Sequence, residues 1–359
     1  MEKTKKKNII LYIVYGLLTV LILISILSMN DLDEIGKALV GVDIKNLFIA
    51  IGLTLIYLAL YPLSMCFLVK SEKVDIKFFD AYSIGMTEHF FNGITPFSTG
   101  GQPFQMYAFS QKKVKLATST SILMMNYIIF MIVTNSYAIG SLFYYDKFVG
   151  NNVTMQIIAI IGFTMNFLVL FFLIALMTSK KLKNAIIWIL TKLSHIKFLH
   201  NFLENKIHHV EEYIDQTQSA FKSLWKHKLL FVVCLITKAI TMGIYYAITF
   251  FIIRALHVDI NFDHLLLVIF GSAFAITMVV FLPTPGSSGG IEFAFAAIIS
   301  ALSTNASGAL SNAGMLIWRL MTYYLTMLIS LGFYIGFEIK VKIDNKKMAK
   351  LENKLEEEK

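Results

Sequence analysis

The sequence predicts an all-α protein that crosses a membrane several times. We expect six spanning helices and two re-entrant helical hairpins, arranged as an inverted repeat of four segments plus four. The composition is the first reason: 57% of the 359 residues are hydrophobic, 15% are charged and the mean hydropathy is +0.67. Such a profile is typical of multi-pass membrane proteins. The second reason is that two apolar stretches are interrupted by nearly the same Gly/Pro-rich motif.

Six segments are long enough to cross a bilayer, which needs about 20 mostly apolar residues. The predicted spans are 9–29, 46–69, 116–145, 153–178, 229–253 and 310–338. We interpret the first as a retained helix, because it lacks the small-residue cleavage site of a signal peptide. Cys66 and Cys234 both lie in apolar segments, so we predict neither a disulfide framework nor a metal site.

The distribution of basic residues predicts the orientation of the chain. Lysine and arginine concentrate on the cytoplasmic side of membrane proteins. Most of the 32 basic residues lie at the N-terminus, in loops 70–77, 112–115 and 180–228, or in the tail from Lys340 onwards. We therefore predict that both termini are cytoplasmic. The net charge of +9 then indicates topology and affinity for anionic lipid headgroups, and we expect no nucleic-acid partner.

Two further apolar segments, 78–109 and 262–302, are predicted to be re-entrant hairpins. The first lies between two cytoplasmic loops and the second between two outer loops, so each must enter and leave at one face. Irregular backbone is not tolerated against lipid tails. Each Gly/Pro-rich tip should therefore be buried in protein or line a polar cavity.

The two tips carry one motif. TPFSTGG at 95–101 and TPGSSGG at 284–290 both fit T-P-x-S-[S/T]-G-G, and a phenylalanine follows after two more residues in each. The order helix, helix, hairpin, helix also repeats, in 1–150 from the inside and in 151–340 from the outside. The second half contains the cytoplasmic insert 180–228, and 341–359 is a charged tail. This pattern predicts a transporter with its site where the broken helices meet.

The residue types of the tips suit an anion. Proline ends a helix, paired glycines allow close backbone approach, and the freed amides of a helix N-terminus attract negative charge. The side-chain hydroxyls add hydrogen-bond donors. The alternative is that the loops only pack the hairpins tightly. The tip residues predicted to bind substrate are Thr95, Pro96, Ser98, Thr99, Gly100, Gly101, Thr284, Pro285, Ser287, Ser288, Gly289 and Gly290.

Five ionisable residues lie inside apolar segments: Glu88, His89, Lys238, Glu292 and Arg319. Such residues are usually functional or paired. Glu292 directly follows the second tip, and both cations lie near mid-depth at ~1.5 Å per helical residue. We predict that Glu292 and one cation, Arg319 before Lys238, complete the substrate site, with a structural ion pair as the alternative. His89 is interpreted as hydrogen-bonded scaffold.

The insert 180–228 is predicted to contain an amphipathic helix. Its placement on the inner membrane surface is favoured, and a dimer seam or a cover over the cavity mouth are the alternatives. The apolar face of this helix contains Leu203, Ile207, Val210, Ile214, Thr217, Phe221 and Leu224.

The stretches NGITPFSTGGQPFQMY and LPTPGSSGGIEFAF, on this eight-segment frame, resemble the lysylphosphatidylglycerol synthase transmembrane family. This is the flippase-like domain at the N-terminus of the multiple peptide resistance factor. The resemblance covers roughly residues 8–340 and implies a location in the bacterial cytoplasmic membrane. The positions that match the family pattern are Asn92, Pro96, Gly100, Gly101, Pro283, Pro285, Gly289, Gly290, Glu292 and Arg319.

The resemblance implies a lipid translocase without cofactor or catalytic residues, which moves an anionic or aminoacylated phospholipid or a lipid-linked precursor between leaflets. Resistance to antimicrobial peptides would be the physiological role. Few residues follow Lys340, so the aminoacyltransferase domain of the full resistance factor is not expected here. The alternatives are a small-solute secondary transporter, or a lipid-binding partner of a separate lysylphosphatidylglycerol synthase. A homodimer is also open.

Overall fold

The computed structural model describes residues 41–95, 98–196, 200–279, 295, 298, 299, 302 and 308–357. All regular structure in these residues is helical, as the composition predicts. The helices are α1 (Ile44–Leu60), α2 (Leu63–Ser71), α3 (Phe78–Gly93), α4 (Gly101–Gln111), α5 (Leu116–Ser141), α6 (Tyr145–Val149), α7 (Val153–Thr178), α8 (Lys180–Ser194), α9 (His200–Lys226), α10 (Lys228–Ala255), α11 (Leu265–Val279), α12 (Gly308–Arg319) and α13 (Thr326–Glu357).

Six helical stretches are long and apolar enough to cross a membrane: Ile44–Ser71, Leu116–Val149, Val153–Thr178, Lys228–Ala255, Phe262–Val279 and Ala313–Lys347. Five of them confirm predicted spans. The predicted span 9–29 lies outside the described residues. The remaining stretch, Phe262–Val279, is the first arm of the predicted second hairpin. Its 18 residues are long enough to span a membrane. The tip of that hairpin, 280–294, is outside the described residues, so its re-entry stays a prediction.

The first described span is broken at Pro62, between α1 and α2. Proline has no N–H and its ring clashes with the preceding turn, which frees main-chain carbonyls. The Tyr82 hydroxyl donates to the carbonyl of Ala59 at 3.2 Å, and Lys238 Nζ donates to the carbonyl of Tyr61 at 3.2 Å. The break therefore provides the two acceptors that bind side chains of α3 and α10.

The first predicted hairpin is confirmed as helix, break and helix. α3 has 16 residues and α4 has 11, and residues 94–100 join them. The two helices pack against each other, α3 also lies against α2 and α13, and α4 lies against α5. Each arm is shorter than the ~20 residues that a membrane span needs, which agrees with a re-entrant hairpin. Its entry and exit at one membrane face stay a prediction.

The amphipathic helix predicted in the insert is confirmed as α9. This helix packs on α5, α7 and α8. Ile214 and Thr217 on its apolar face are buried, and the Gln218 side chain donates to the carbonyl of Leu176 on α7 at 2.9 Å. The placement of α9 on the inner membrane surface stays a prediction, because the side chains of Leu203 and Leu224 on this face lie outside the described part of the chain. The ends of the neighbouring membrane helices supply its apolar partners.

The apolar core of the described residues falls into two large clusters, one around α10, α11 and α12 and the other around α2 to α5. A smaller cluster contains Tyr57, Tyr61 and Tyr246. Tyr245 and Tyr82 pack against it as well as against the large clusters. This tyrosine-rich region is where the polar residues of the candidate site collect.

Candidate functional site

The tip of the first hairpin is closed by its own side chains. Asn92 Oδ1 accepts from the amide of Gly101 at 2.8 Å, and Thr95 Oγ1 accepts from the amide of Gly100 at 2.8 Å. Thr95 Oγ1 in turn donates to the carbonyl of Phe91 at 2.8 Å. Two of the amides that we predicted to bind an anion are therefore used to fold the loop. Substrate binding by these residues stays a prediction, and it would require these bonds to exchange.

The paired glycines allow α4 to begin directly against α3. A Cβ atom on Gly100 would lie 2.7 Å from the carbonyl oxygen of Phe91, and one on Gly101 would lie 2.7 Å from Glu88 Cγ. Such distances leave no room for a methyl group. Ser98 has φ 52° in the same loop, and its side chain is exposed like that of Thr99. These contacts support the tight-packing role of the motif that we kept as the alternative.

Pro96 and the whole second motif lie outside the described residues. This applies to Pro283, Thr284, Pro285, Ser287, Ser288, Gly289, Gly290 and Glu292. The predicted pairing of Glu292 with a cation therefore stays a prediction.

A side chain of α13 interrupts α3 next to the buried charges. The Ser330 hydroxyl donates to the carbonyl of Met86 at 2.6 Å and accepts from the amide of Phe90 at 2.9 Å. In an unbroken helix these two main-chain groups would bond to each other, since the residues are four apart. A polar side chain inserted into this ladder opens a helix locally. The opening lies at the turn that carries Glu88 and His89.

Three helices bring the buried charges together around two tyrosines. The ring of His89 on α3 lies 4.1 Å from that of Tyr61 and 5.6 Å from that of Tyr57, between centroids. Lys238 on α10 places Nζ 4.2 Å from the Tyr61 ring centroid and is 1% exposed. The Glu88 carboxylate interacts with the Lys238 charge and completes the group. We call these five residues the polar cluster.

Glu88 connects the polar cluster to the hairpin tip. The Gln105 Nε2 group donates to Glu88 Oε2 at 3.5 Å, and Asn92, one turn further along α3, accepts from the tip amide of Gly101. The sequence alone marks Glu88 as an intramembrane charge but does not assign it to the site. The spacing of four residues between Glu88 and Asn92, which puts both on one helix face, was the signal that could have found it.

Arg319 lies at the other edge of the same tyrosine region. It is 3% exposed, and its guanidinium carbon lies 5.5 Å from the centroid of the Tyr323 ring. A π-helical turn, Leu320–Leu325, follows it directly, and such turns are frequent at functional sites. Tyr245 joins this edge to the polar cluster, since its ring lies 4.9 Å from that of Tyr57 and 6.0 Å from that of Trp318, next to Arg319.

His89 does not fulfil its predicted role as hydrogen-bonded scaffold. Its buried Nε2 has no hydrogen-bond partner among the described residues. Most buried polar atoms in proteins are hydrogen-bonded, so one that is not requires an explanation. The atom belongs to a ring held between Tyr57 and Tyr61, where a ligand group could complete it.

The charges of this region suit an anionic ligand. Lys238 and Arg319 supply two cations and Glu88 one carboxylate, within a region otherwise lined by tyrosine rings and hydroxyls. A buried charge is costly unless it is paired or hydrogen-bonded. A phosphate would balance the net positive charge of this group, and an amine would be matched by the carboxylate.

The comparison with known protein families agrees with the fold. The family described as lysylphosphatidylglycerol synthase TM region matches residues 12–330. The chain belongs to this family. The match includes both tip motifs, the polar cluster and Arg319. No curated protein and no solved structure matches the chain.

Membership in the lysylphosphatidylglycerol synthase TM region family concerns the membrane part of such synthases, which is not their catalytic part. The described residues agree with this assignment, because they contain six helical stretches that are long and apolar enough to cross a membrane. The closer likeness to the multiple peptide resistance factor stays a prediction.

Proposed function

We propose that this chain is a lipid translocase, which moves a phospholipid with an anionic or aminoacylated headgroup, or a lipid-linked precursor, between the leaflets of the bacterial cytoplasmic membrane. The observation that carries the proposal is that the buried Lys238 and Arg319 and the half-buried Glu88 lie around one group of tyrosines. These residues lie on α3, α10 and α12.

Burying these charges is costly unless each is paired or hydrogen-bonded, and a charged headgroup would supply such partners. A lysine or arginine at the centre of a membrane helix costs about 2.5–3.5 kcal/mol on insertion scales. A lipid phosphate would be matched by Lys238 and Arg319, and the amine of an aminoacylated headgroup by Glu88. The tyrosine rings would shield the headgroup from the acyl chains, since tyrosine offers an apolar body and a polar end.

The proposed path follows the inverted repeat. In this proposal both hairpins re-enter the membrane and their tips approach each other near the bilayer centre, as in transporters built from inverted repeats. The recurrence of T-P-x-S-[S/T]-G-G supports it, as does the short helix, break and short helix of 78–111. The second tip would add Ser287, Ser288 and Glu292 to the site.

Leaflet exchange in proteoliposomes tests the proposal. We expect the purified protein to move fluorescent phosphatidylglycerol or lysylphosphatidylglycerol from the inner to the outer leaflet, where dithionite bleaches it. Glu88→Gln and Lys238→Gln should each lower the rate at least tenfold. Lys45→Gln, which removes an exposed lysine, is the matched control and should leave the rate unchanged.

Two results would contradict the proposal. If the fluorescent lipid changes leaflet no faster than in protein-free vesicles, the chain is not a lipid translocase. Uptake of a water-soluble anion, abolished by the same two variants, would favour a small-solute transporter. We expect the chain alone to transfer no lysine from lysyl-tRNA to phosphatidylglycerol. The proposed partners are a separate synthase or a second copy of the chain.

A further inference from the structure

Helix α8 begins at the end of a candidate membrane span. Ser179 is the only residue between α7 and α8: its amide donates to the carbonyl of Ala175 at 2.8 Å, and its hydroxyl accepts from the amide of Leu182 at 3.2 Å. The chain thus leaves α7 and starts a new helix within one residue. If α7 spans the membrane, α8 must start at the height of the lipid headgroups.

One side of α8 is occupied by α9. Lys183 Nζ lies 2.7 Å from Asp215 Oδ1 and 3.1 Å from Glu211 Oε1, both on α9. Hydrogen bonding to Asp215 raises the pKa of Lys183, so this lysine stays charged at neutral pH. Ser194 on the same side is buried. These contacts fix the rotation of α8 about its own axis.

The side turned away from α9 carries a second apolar stripe. It consists of Trp188, Ile189 and Leu193 on α8 and of Ile196 just beyond its end, which are 58%, 48%, 38% and 50% exposed. We call these four residues the α8 stripe. Grouped apolar side chains are costly to expose to water, so they indicate a surface that contacts a membrane or another molecule in the functional protein.

The charges beside the α8 stripe identify what covers it. Lys180, Lys181 and Lys192 lie on α8, which contains no aspartate or glutamate. Lys192 Nζ lies 4.3 Å above the ring of Trp188, so a cation borders the stripe itself. Apolar residues including tryptophan, flanked by lysines on one helix, are typical of helices that lie in the interface of an anionic membrane.

We propose that the α8 stripe inserts among the headgroups and upper acyl chains of the leaflet in which α7 ends, with Lys181 and Lys192 bound to anionic lipid phosphates. The occupant is an anionic lipid surface. This role goes beyond the proposed translocation, and it belongs to α8, while Ile214 and Thr217 of α9 are buried inside the protein. Because Lys183 ties α8 to α9, the anchor also holds α9 against α5 and α7.

A fluorescent probe on α8 tests this proposal. The probe is attached either at Ile189→Cys, in the stripe, or at Thr191→Cys, which is exposed and lies about 160° away from Ile189 around the helix at about 100° per residue. Each variant is labelled with an environment-sensitive dye in nanodiscs of phosphatidylcholine with or without phosphatidylglycerol. The parent chain is the labelling background, since its Cys66 and Cys234 are buried.

We expect brominated acyl chains to quench the probe at 189 at least threefold more than the probe at 191. Quenching at 189 should increase when phosphatidylglycerol is present, and the double variant Lys181→Gln/Lys192→Gln should lose this increase while its melting temperature stays within a few degrees. Equal quenching at both positions, or none at 189, would overturn the proposal. Protection of 189 only at two chains per nanodisc would instead assign the stripe to a second copy.

This experiment measures no transport. A failure here leaves the proposed translocation intact, and a failure of leaflet exchange leaves the α8 stripe intact.

Discussion

Lys340 Nζ lies 2.6 Å from Asp80 Oδ1, which joins the last helix to the foot of the first hairpin. Lys112, at the end of α4, lies 3.5 Å from Asp80 Oδ2 and 3.0 Å from Asp344 Oδ2 on α13. Both arms of the hairpin are thus tied to α13 at their feet. The Tyr323 hydroxyl donates to the carbonyl of Gly93 at 2.8 Å, next to the tip. The hairpin is therefore attached at both of its ends.

Asp80→Asn should destabilise the protein by ~1–2 kcal/mol. The Asp80 side chain is only 6% exposed, and removing its charge leaves two lysines without their common partner. The value is lower than for a fully buried pair because Lys340 is partly exposed and screened by solvent. The melting temperature in detergent measures the effect.

The control is Asp75→Asn, at an exposed aspartate of the preceding loop, which should change the melting temperature little. An unchanged melting temperature for Asp80→Asn would show that the ion pairs contribute nothing.

Gly101→Ala should cost ~1–3 kcal/mol, because the new methyl group would meet Glu88 Cγ and Asn92 Oδ1 at 2.7 Å. The control is Gly332→Ala, a glycine of α13 where the added methyl group would have no other atom within 4 Å. Alanine is the better helix former, so this control should stabilise the protein by about 0.5–1 kcal/mol. Equal effects of the two substitutions would contradict the close approach of α3 and α4.

The sequence predicts the local part of this fold and misses the long-range part. Spans, the break before Gly100 and helix α9 follow from composition, turn residues and apolar periodicity, which act over a few residues. The insertion of Ser330 between Met86 and Phe90 joins residues far apart in the chain, so no local pattern reports it.

The candidate site shows the same division. The two buried cations were predicted from their apolar surroundings, because a charge in such a segment is visible without a structure. The role of Glu88 depends on Lys238 and Gln105, which lie on two other helices, and the use of the Gly100 and Gly101 amides depends on how the loop folds. Residue types indicated an anion site at the tip, whereas the geometry of the loop satisfies these two amides internally.

Glu292→Gln tests the second motif. If Glu292 belongs to the substrate site with Arg319, the variant should lose lipid exchange while its expression and melting temperature stay nearly unchanged. If the two residues form a structural ion pair, the same substitution should lower the melting temperature, and activity should fall only in proportion. Thermal unfolding and leaflet exchange on one preparation separate the two. A stable and fully active Glu292→Gln protein would remove this residue from the site.

His89 offers a test in which stability and activity should change in opposite directions. Its buried Nε2 has no hydrogen-bond partner among the described residues. The free-energy cost of removing this atom from water on folding is therefore not offset by a hydrogen bond. His89→Phe keeps the ring between Tyr57 and Tyr61 and removes that polar atom. We expect this variant to raise the free energy of unfolding by ~1 kcal/mol and to lower lipid exchange, because the headgroup loses a hydrogen bond. His89→Gln, which keeps a polar group near the position of Nε2, should retain more exchange than His89→Asn, whose amide is too short. A lower melting temperature for His89→Phe would show instead that Nε2 binds a structural partner outside the described residues, and equal exchange in all three variants would remove His89 from the headgroup site.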